Sequence, residues 1–289
     1  MRKFIFEVRK FFLIIYMCGV VAVPLVAQSQ DVWRGGHRPK VALVLGGGGA
    51  KGAATVGVLK YVERSGVPVD MVVGTSIGSI VGGLYAMGYG SGQLDSLFRS
   101  QEWMDMFVGS MMGDSIVRPL RQLTGDGGRQ DFDQLPIPFR CVAVDMKTMR
   151  EVVLSEGDLA QAMRASMAIP LVFKPVKMDG MTLVDGGVLN NLPVDVAKDM
   201  GADIVIAVDL TVNKHRGDEP SGIRLLLRPD LVKYRQNCAA ADIYISPNLK
   251  GYGAHDFLPD RIAEMIVLGE KAGKANMKKL KKLKKRLVE

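Results

Sequence analysis

Histidine and cysteine are both scarce in this chain of 289 residues, with three of each. No cysteine or histidine falls at metal-ligand spacing, so neither a thiolate nor an imidazole metal site has a basis in the sequence. Cys18 falls in the leader described below, and Cys141, in the apolar run FRCVAVD, reads as a buried strand residue. An exported chain permits a disulfide between Cys141 and Cys238, but nothing in their placement requires one. An imidazole base has only three candidates. His37 precedes the first strand, His215 lies in a polar loop, and His255, in GAHDF, sits best by chain order. No repeat period is present, and after residue 27 no run reads as a stop-transfer segment.

What is present begins with an export signal over residues 1–27. Arg2, Lys3, Arg9 and Lys10 form a basic n-region, residues 11–23 an apolar h-region, and Val26-Ala27-Gln28 a cleavage point. The expected destination is the periplasm or outer envelope, or secretion. Residues 28–39 read as a linker, 40–270 as one large α/β domain, and 271–289 as a basic C-terminal helix. The formal charge of +8 is concentrated at the ends: the leader carries +3 and residues 274–289 carry +7, leaving −2 for the body. The high pI therefore describes the termini, and no nucleic-acid partner is expected. In the tail, Met277, Leu280, Leu283 and Leu287 share one helical stripe among lysines. That pattern fits a solvated terminal helix or an amphipathic helix lying on anionic lipid.

The chain is organised around residues 69–88. A short, mostly β-branched run at 71–73 predicts a buried strand, and an apolar helical stretch through Met87 follows Gly74-Thr75-Ser76-Ile77-Gly78. G-x-S-x-G between strand and helix is the context of a nucleophile elbow. Gly74 and Gly78 let strand and helix approach, and the turn places Ser76 at the positive end of the helix.

Upstream, a strand at 41–45 runs into Gly46-Gly47-Gly48-Gly49-Ala50-Lys51-Gly52 and a helix from about Ala53 to Glu63. Bare backbone N–H groups and a helix N-terminus make this an anion cradle. A Walker loop fails, because Lys51 precedes Gly52 and Ala53 rather than a Gly-Lys-Ser/Thr order. A dinucleotide fingerprint fits the spacing Gly47-x-Gly49-x-x-Gly52, with Asp70 further on, although Asp70 precedes the second strand. The third reading makes Gly47, Gly48 and Gly49 an oxyanion hole for attack by Ser76. It uses both motifs, whereas the dinucleotide reading leaves the serine idle.

Further strands are expected at 139–145, 150–154, 182–184, 204–209 and 243–246, and helices at 91–98, 158–167, 193–200 and 229–240. Their alternation predicts a largely parallel sheet covered on both faces, antiparallel around 139–185. Residues 103–129 have weak periodicity; Met104, Met106, Phe107, Met111 and Met112 fit ordinary packing under a loop or a lipid-accepting groove. Asp145, Asp185 and Asp209 each end an apolar strand, and Asp185 alone is followed by two glycines, Gly186-Gly187, that clear space beside it.

The ordered set GGGAKG (47–52), GTSIG (74–78) and Asp185-Gly186-Gly187 resembles the three blocks of patatin-like phospholipases. The segments 165–170 (ASMAIP) and 190–193 (NNLP) resemble that family too. The likeness spans roughly residues 40–270. It implies a three-layer α/β/α sandwich with a mainly parallel sheet and hydrolysis of acyl esters in membrane lipids, without metal or other cofactor. It makes Ser76 the nucleophile, Asp185 the proton acceptor of a Ser–Asp dyad, and Gly47–Gly49 the oxyanion hole. The alternative is a dinucleotide-binding or lipid-binding domain with an incidental serine.

Overall fold

A computed structural model describes residues 38–110, 116–125, 128–211 and 230–288. The leader, most of the linker, His37, His215, Met111 and Met112 lie outside the described residues, as do the side chains of Met106 and Phe107.

β1 (Val41–Leu45) passes through the glycine loop into α1 (Gly52–Ser65), and β2 (Met71–Thr75) turns at Ser76 into α2 (Ile77–Ala86). α3 (Ser91–Phe98), α4 (Gln101–Ser110), α5 (Val117–Thr124) and the short β3 (Gln130–Asp131) follow. The weakly periodic stretch thus holds two helices. Their docking buries Trp103, Met104, Ile116 and Leu120, an interaction with distant residues that local periodicity does not report. β4 (Phe139–Asp145) and β5 (Arg150–Leu154) form a hairpin, and β6 (Glu156–Gly157) pairs back on β3. After α6 (Leu159–Ser166), β7 (Val176–Met178) and β8 (Met181–Asp185) form a second hairpin. It turns at Asp179 and Gly180, both at positive φ as a tight hairpin turn requires. α7 (Val194–Asp199), β9 (Ile204–Val208), α8 (Leu231–Ala240), β10 (Ile243–Ile245) and α9 (Pro259–Val288) complete the described chain.

The sheet runs β10-β9-β1-β2-β4-β8-β7, parallel from β10 to β4 and antiparallel beyond, with β5 also on β4. β1, β2 and β9 are buried on both faces, and the alternation of their side chains divides the core in two. Val41, Leu43 and Leu45 of β1 face a core shared with α1, α2 and α9. Ala42 and Val44 face a second core with α7 and α8. Helices therefore cover both faces, giving the three-layer α/β/α sandwich.

One detail of the sheet builds the site. β4 pairs with β2 as far as Thr75↔Val142 and with β8 from Ala143↔Asp185. The β5 hairpin spans both registers and fills the other edge of β4. A strand has only two edges, so the C-terminal ends of β2 and β8 meet head to head on one of them. Ser76 follows directly on β2, and Asp185 is the last residue of β8.

The C-terminal helix differs from its reading in the sequence. It starts at Pro259, well before residue 271, and runs unbroken to Val288. Gly57 of α1 and Gly269 of α9 allow backbone contact: a Cβ on Gly269 would stand 1.9 Å from the Ala54 carbonyl oxygen. Leu280, Leu283 and Leu287 are buried in the same core, while the surrounding lysines at 278, 279, 281, 282 and 285 face solvent. The stripe that could have rested on lipid is instead what fastens the helix to the protein.

Candidate active site

Ser76 sits at the N-cap of α2 with φ 56° and ψ −128°, a backbone conformation rare for any residue with a side chain. The strand and helix on either side come very close: a Cβ on Gly74 would stand 2.4 Å from the Gly78 carbonyl oxygen. The turn is pinned by neighbours distant in sequence. The Ser76 N–H donates to Ser166 Oγ at 2.9 Å, and Ser166 Oγ donates to the Val142 carbonyl at 2.6 Å. Thr75 Oγ1 donates to the Asn190 carbonyl at 2.9 Å. Ser79 Oγ donates to the Ser76 carbonyl at 2.6 Å, satisfying one end of the turn from within the helix.

Ser76 Oγ donates to Asp185 Oδ2 at 2.6 Å. The other oxygen, Oδ1, accepts the Gly187 N–H at 2.7 Å, which fixes the carboxylate plane. Both side chains are almost fully buried. Burial penalises the carboxylate and pushes the Asp185 pKa up to about 6, against the opposing pull of its bonds from Ser76 and Gly187. A carboxylate in that range is a better base for an alcohol than one at its ordinary value.

The other candidate bases make no hydrogen bond to Ser76. His255 is 80 % exposed, with its Nε2 3.8 Å from Asp256 Oδ1, and it makes no hydrogen bond to Ser76. Asp145 caps its own hairpin turn, accepting from Thr148 Oγ1 at 2.9 Å and from the Thr182 N–H at 3.2 Å. Asp209 accepts from the hydroxyls of Tyr234 and Tyr244, so it holds α8 and β10 together. Burial beside that carboxylate raises the pKa of both tyrosines. Cys141 is buried in β4, Cys238 is half-buried, and both are free thiols. No group of acidic, histidine or cysteine side chains able to hold a metal occurs among the described residues.

The glycine loop lies against Ser76 and Asp185. The Gly47 N–H is engaged by the Asn191 carbonyl at 3.2 Å, and Asn191 Nδ2 reaches back to the Gly47 carbonyl at 3.4 Å. Gly47 is therefore a clamped position, with its donor already used. The N–H groups of Gly48 and Gly49 have no hydrogen-bond partner among the described residues, and both glycines are half-buried. Gly49 holds φ 59°, and a Cβ there would stand 2.2 Å from the Ala254 carbonyl oxygen, so no other residue fits. Asp70, the acid of the dinucleotide reading, lies at the opposite end of β1. It is paired with Arg38 at 2.5 Å and with the Val41 N–H at 2.7 Å.

Two cavities meet at Ser76. One, of about 270 Å³, is lined mainly by apolar side chains, among them Met167, Ile169, Val172, Phe173 and Phe257, with His255 at its wall beside Ser76 and Gly49. The other, of about 220 Å³, has a mixed lining: Lys51, Asn191 and Tyr234 stand among Val188, Leu189 and Leu231, beside Asp185 and the glycine loop. An apolar arm and a second arm of mixed lining, meeting at Ser76, suit an amphipathic ester.

Ser166 and Asn191 fall within the family-like segments 165–170 and 190–193, but the sequence assigns neither a role. Ser166 bonds a residue 90 positions away and Asn191 one 144 positions away, and only the fold brings those partners together.

Comparison with known proteins agrees with this geometry. Residues 43–198 match the family profile described as patatin-like phospholipase. Human patatin-like phospholipase domain-containing protein 6 is 38% identical over 190 residues, covering 59% of this chain and 13% of that protein. Lysophospholipase nte1 of Aspergillus fumigatus is 31% identical over 283 residues, covering 83% of this chain and 18% of the other. The chain thus spans under a fifth of the length of these two relatives. In fold it is similar to VipD from Legionella pneumophila, with a TM-score of 0.54 and 14% identity over 84% of this chain and 67% of that one. A profile match across more than half of the sequence, on a sandwich with the expected elbow, means that this chain belongs to the patatin-like phospholipase family.

Proposed function

We propose that the protein is a serine acyl hydrolase that cleaves fatty-acyl esters of membrane lipids through a Ser76–Asp185 dyad. The observation that carries this reading is the 2.6 Å bond from Ser76 Oγ to a buried carboxylate, made where an apolar cavity joins one of mixed lining. Asp185 Oδ2 takes the hydroxyl proton as Ser76 Oγ attacks the ester carbonyl carbon. The oxygen that becomes negative is held by the N–H groups of Gly48 and Gly49, donors typically worth ~3 kcal/mol each to the barrier. Collapse breaks the bond to the leaving alcohol, which takes the proton back from Asp185. Water then attacks the acyl-enzyme, Asp185 again receiving a proton, and the fatty acid leaves with Ser76 restored.

The acyl chain occupies the arm lined by Met167, Ile169, Val172, Phe173 and Phe257, and the head-group side faces Lys51, Asn191 and Tyr234. Relatives named phospholipase and lysophospholipase support phospholipids or their monoacyl forms as the substrate class. A dinucleotide site is disfavoured by the commitment of Asp70 to Arg38. The test is incubation of wild type and Ser76→Ala with a mixed lipid extract, followed by mass spectrometry of released fatty acids. A fluorophosphonate probe should label wild type at Ser76. Absence of both fatty-acid release and labelling in folded protein would overturn the reading.

A further inference from the structure

Among the described residues, four non-glycine residues hold positive φ: Ser76, Met149, Leu171 and Asp179. Ser76 is explained by the elbow and Asp179 by a hairpin turn. Leu171, at φ 69°, has no such explanation in its side chain, which is 82% exposed. A bulky apolar residue is among the least suited to this conformation, which asparagine or glycine takes far more readily. Leu258 is out of place in a different way. The Ile262 N–H bonds the Leu258 carbonyl at 2.9 Å and Pro259 is the first helical residue, so Leu258 is the N-cap of α9. Leucine ranks among the poorest N-caps, where serine or asparagine would bond the free N–H groups, and Leu258 is 68% exposed.

Each leucine is thus opposed by its local backbone and gains little from burial. Rules broken in this way tend to mark functional positions. Both also border one cavity. Val172, the next residue after Leu171, and Phe257, the one before Leu258, line the apolar arm that ends at Ser76. Lys174 is exposed three residues beyond Leu171, and a cation near an apolar tip suits the boundary between head groups and acyl chains.

We propose that Leu171 and Leu258 form a rim that inserts into a lipid surface, so that an acyl chain enters the apolar arm from that surface without crossing water. The proposal rests on the hydrolase reading for its purpose, although docking is measured separately from catalysis. It also moves the lipid-facing role from the C-terminal helix, whose apolar stripe is buried, to the mouth of the site.

The test compares wild type with Leu171→Asn, Leu258→Ser and the double variant. Asparagine tolerates the left-handed backbone and serine is a favoured N-cap, so the variants should unfold at the same temperature or higher. Binding is read by co-sedimentation with vesicles of phosphatidylcholine containing phosphatidylglycerol. Each single change should weaken it about tenfold and the double change on the order of a hundredfold, from the loss of buried leucine area. Hydrolysis of vesicle lipid should fall in parallel, while turnover of a soluble short-chain ester stays within about twofold, since neither side chain lines the two cavities at Ser76. Unchanged vesicle binding by a folded double variant would overturn the proposal. So would a wild-type dimer that the double variant converts to monomer, because the leucines would then cover a second copy. If wild type binds vesicles through these leucines yet hydrolyses neither substrate, the hydrolase reading fails and the docking surface stands.

Discussion

The Ser76 N–H is held by the hydroxyl of Ser166 at 2.9 Å, and that hydroxyl is held by the Val142 carbonyl at 2.6 Å. A serine on a helix that precedes the β7–β8 hairpin thus ties the elbow to the strand on which both members of the dyad are registered. Ser166→Ala leaves a buried donor and a buried acceptor without their partner, a loss of about 1–3 kcal/mol. We expect a lower unfolding midpoint in urea together with a reduced kcat and little change in KM for a soluble ester, because the elbow loses its alignment. A destabilised variant with wild-type kcat would mean that the strut supports the fold and not the nucleophile.

Under the proposed mechanism Asp185 sets the pH profile. Asp185, with its pKa raised to about 6 by burial, must be ionised to accept the Ser76 proton. kcat/KM should therefore rise close to tenfold per unit below about pH 6 and level off above it. Steady-state kinetics on a soluble ester measure this. A limb centred near the ordinary carboxylate value would show that the site is wetter than its burial implies.

A dyad and a triad respond in opposite ways to mutation. Asp185→Asn should abolish turnover about as fully as Ser76→Ala, since members of one catalytic unit are not additive. His255→Ala should retain most activity, its ring being exposed and bonded to neither member. Ester hydrolysis by each purified variant, with circular dichroism confirming the fold, decides between them. An inactive His255→Ala beside an active Asp185→Asn would reinstate an imidazole base.

Much of this was legible because local chemistry coincides with the tertiary outcome. The helix at 91–98 and the strands at 139–145 and 150–154 have the bounds that periodicity gives, since their burial patterns match their own sequence. Gly74, Ser76 and Gly78 were readable because the elbow lies within five residues. What could not be read depends on pairing at a distance. The meeting of β2 and β8 on one edge of β4 is a matter of register, and residues 75 and 185 carry no mark of it. Gly47 looked like an equal member of its loop until Asn191 proved to occupy its N–H. The leucines of the tail have the same spacing whether they face lipid or α1, and only the docked helix distinguishes the two.

The tail offers a direct check of that distinction. Leu283→Ala removes a buried side chain and should destabilise the protein by about 2–5 kcal/mol, while a lysine change on the exposed face, such as Lys281→Gln, should stay within about 0.5 kcal/mol. Urea unfolding of the two variants reads the difference. Neither change should alter kcat for a soluble ester, because no residue of α9 lines either cavity at Ser76. A harmless Leu283→Ala would mean that the helix end is not fastened to α1 in solution.

The buried Asp185 carboxylate should also weaken the fold. Its pKa is raised from 3.8 to about 6, so between those values the folded protein keeps a proton that the unfolded chain has released. Stability therefore falls as pH rises through that window, and above about pH 6 the whole penalty stands, on the order of 3 kcal/mol at about 1.4 per unit. Asparagine at 185 carries no charge to bury, its oxygen can still accept the Gly187 N–H, and its amide can donate to Ser76 Oγ. Asp185→Asn should then be inactive yet more stable than wild type by about 1–3 kcal/mol near pH 8, the weaker neutral hydrogen bonds taking back part of the gain. Near pH 4, where Asp185 is protonated in the folded state, the two proteins should converge. Urea unfolding of both at the two pH values makes the comparison. A wild type at least as stable as Asp185→Asn near pH 8 would mean that the carboxylate is compensated by groups beyond Ser76 and Gly187, and the proton affinity assigned to the base would have to be lowered.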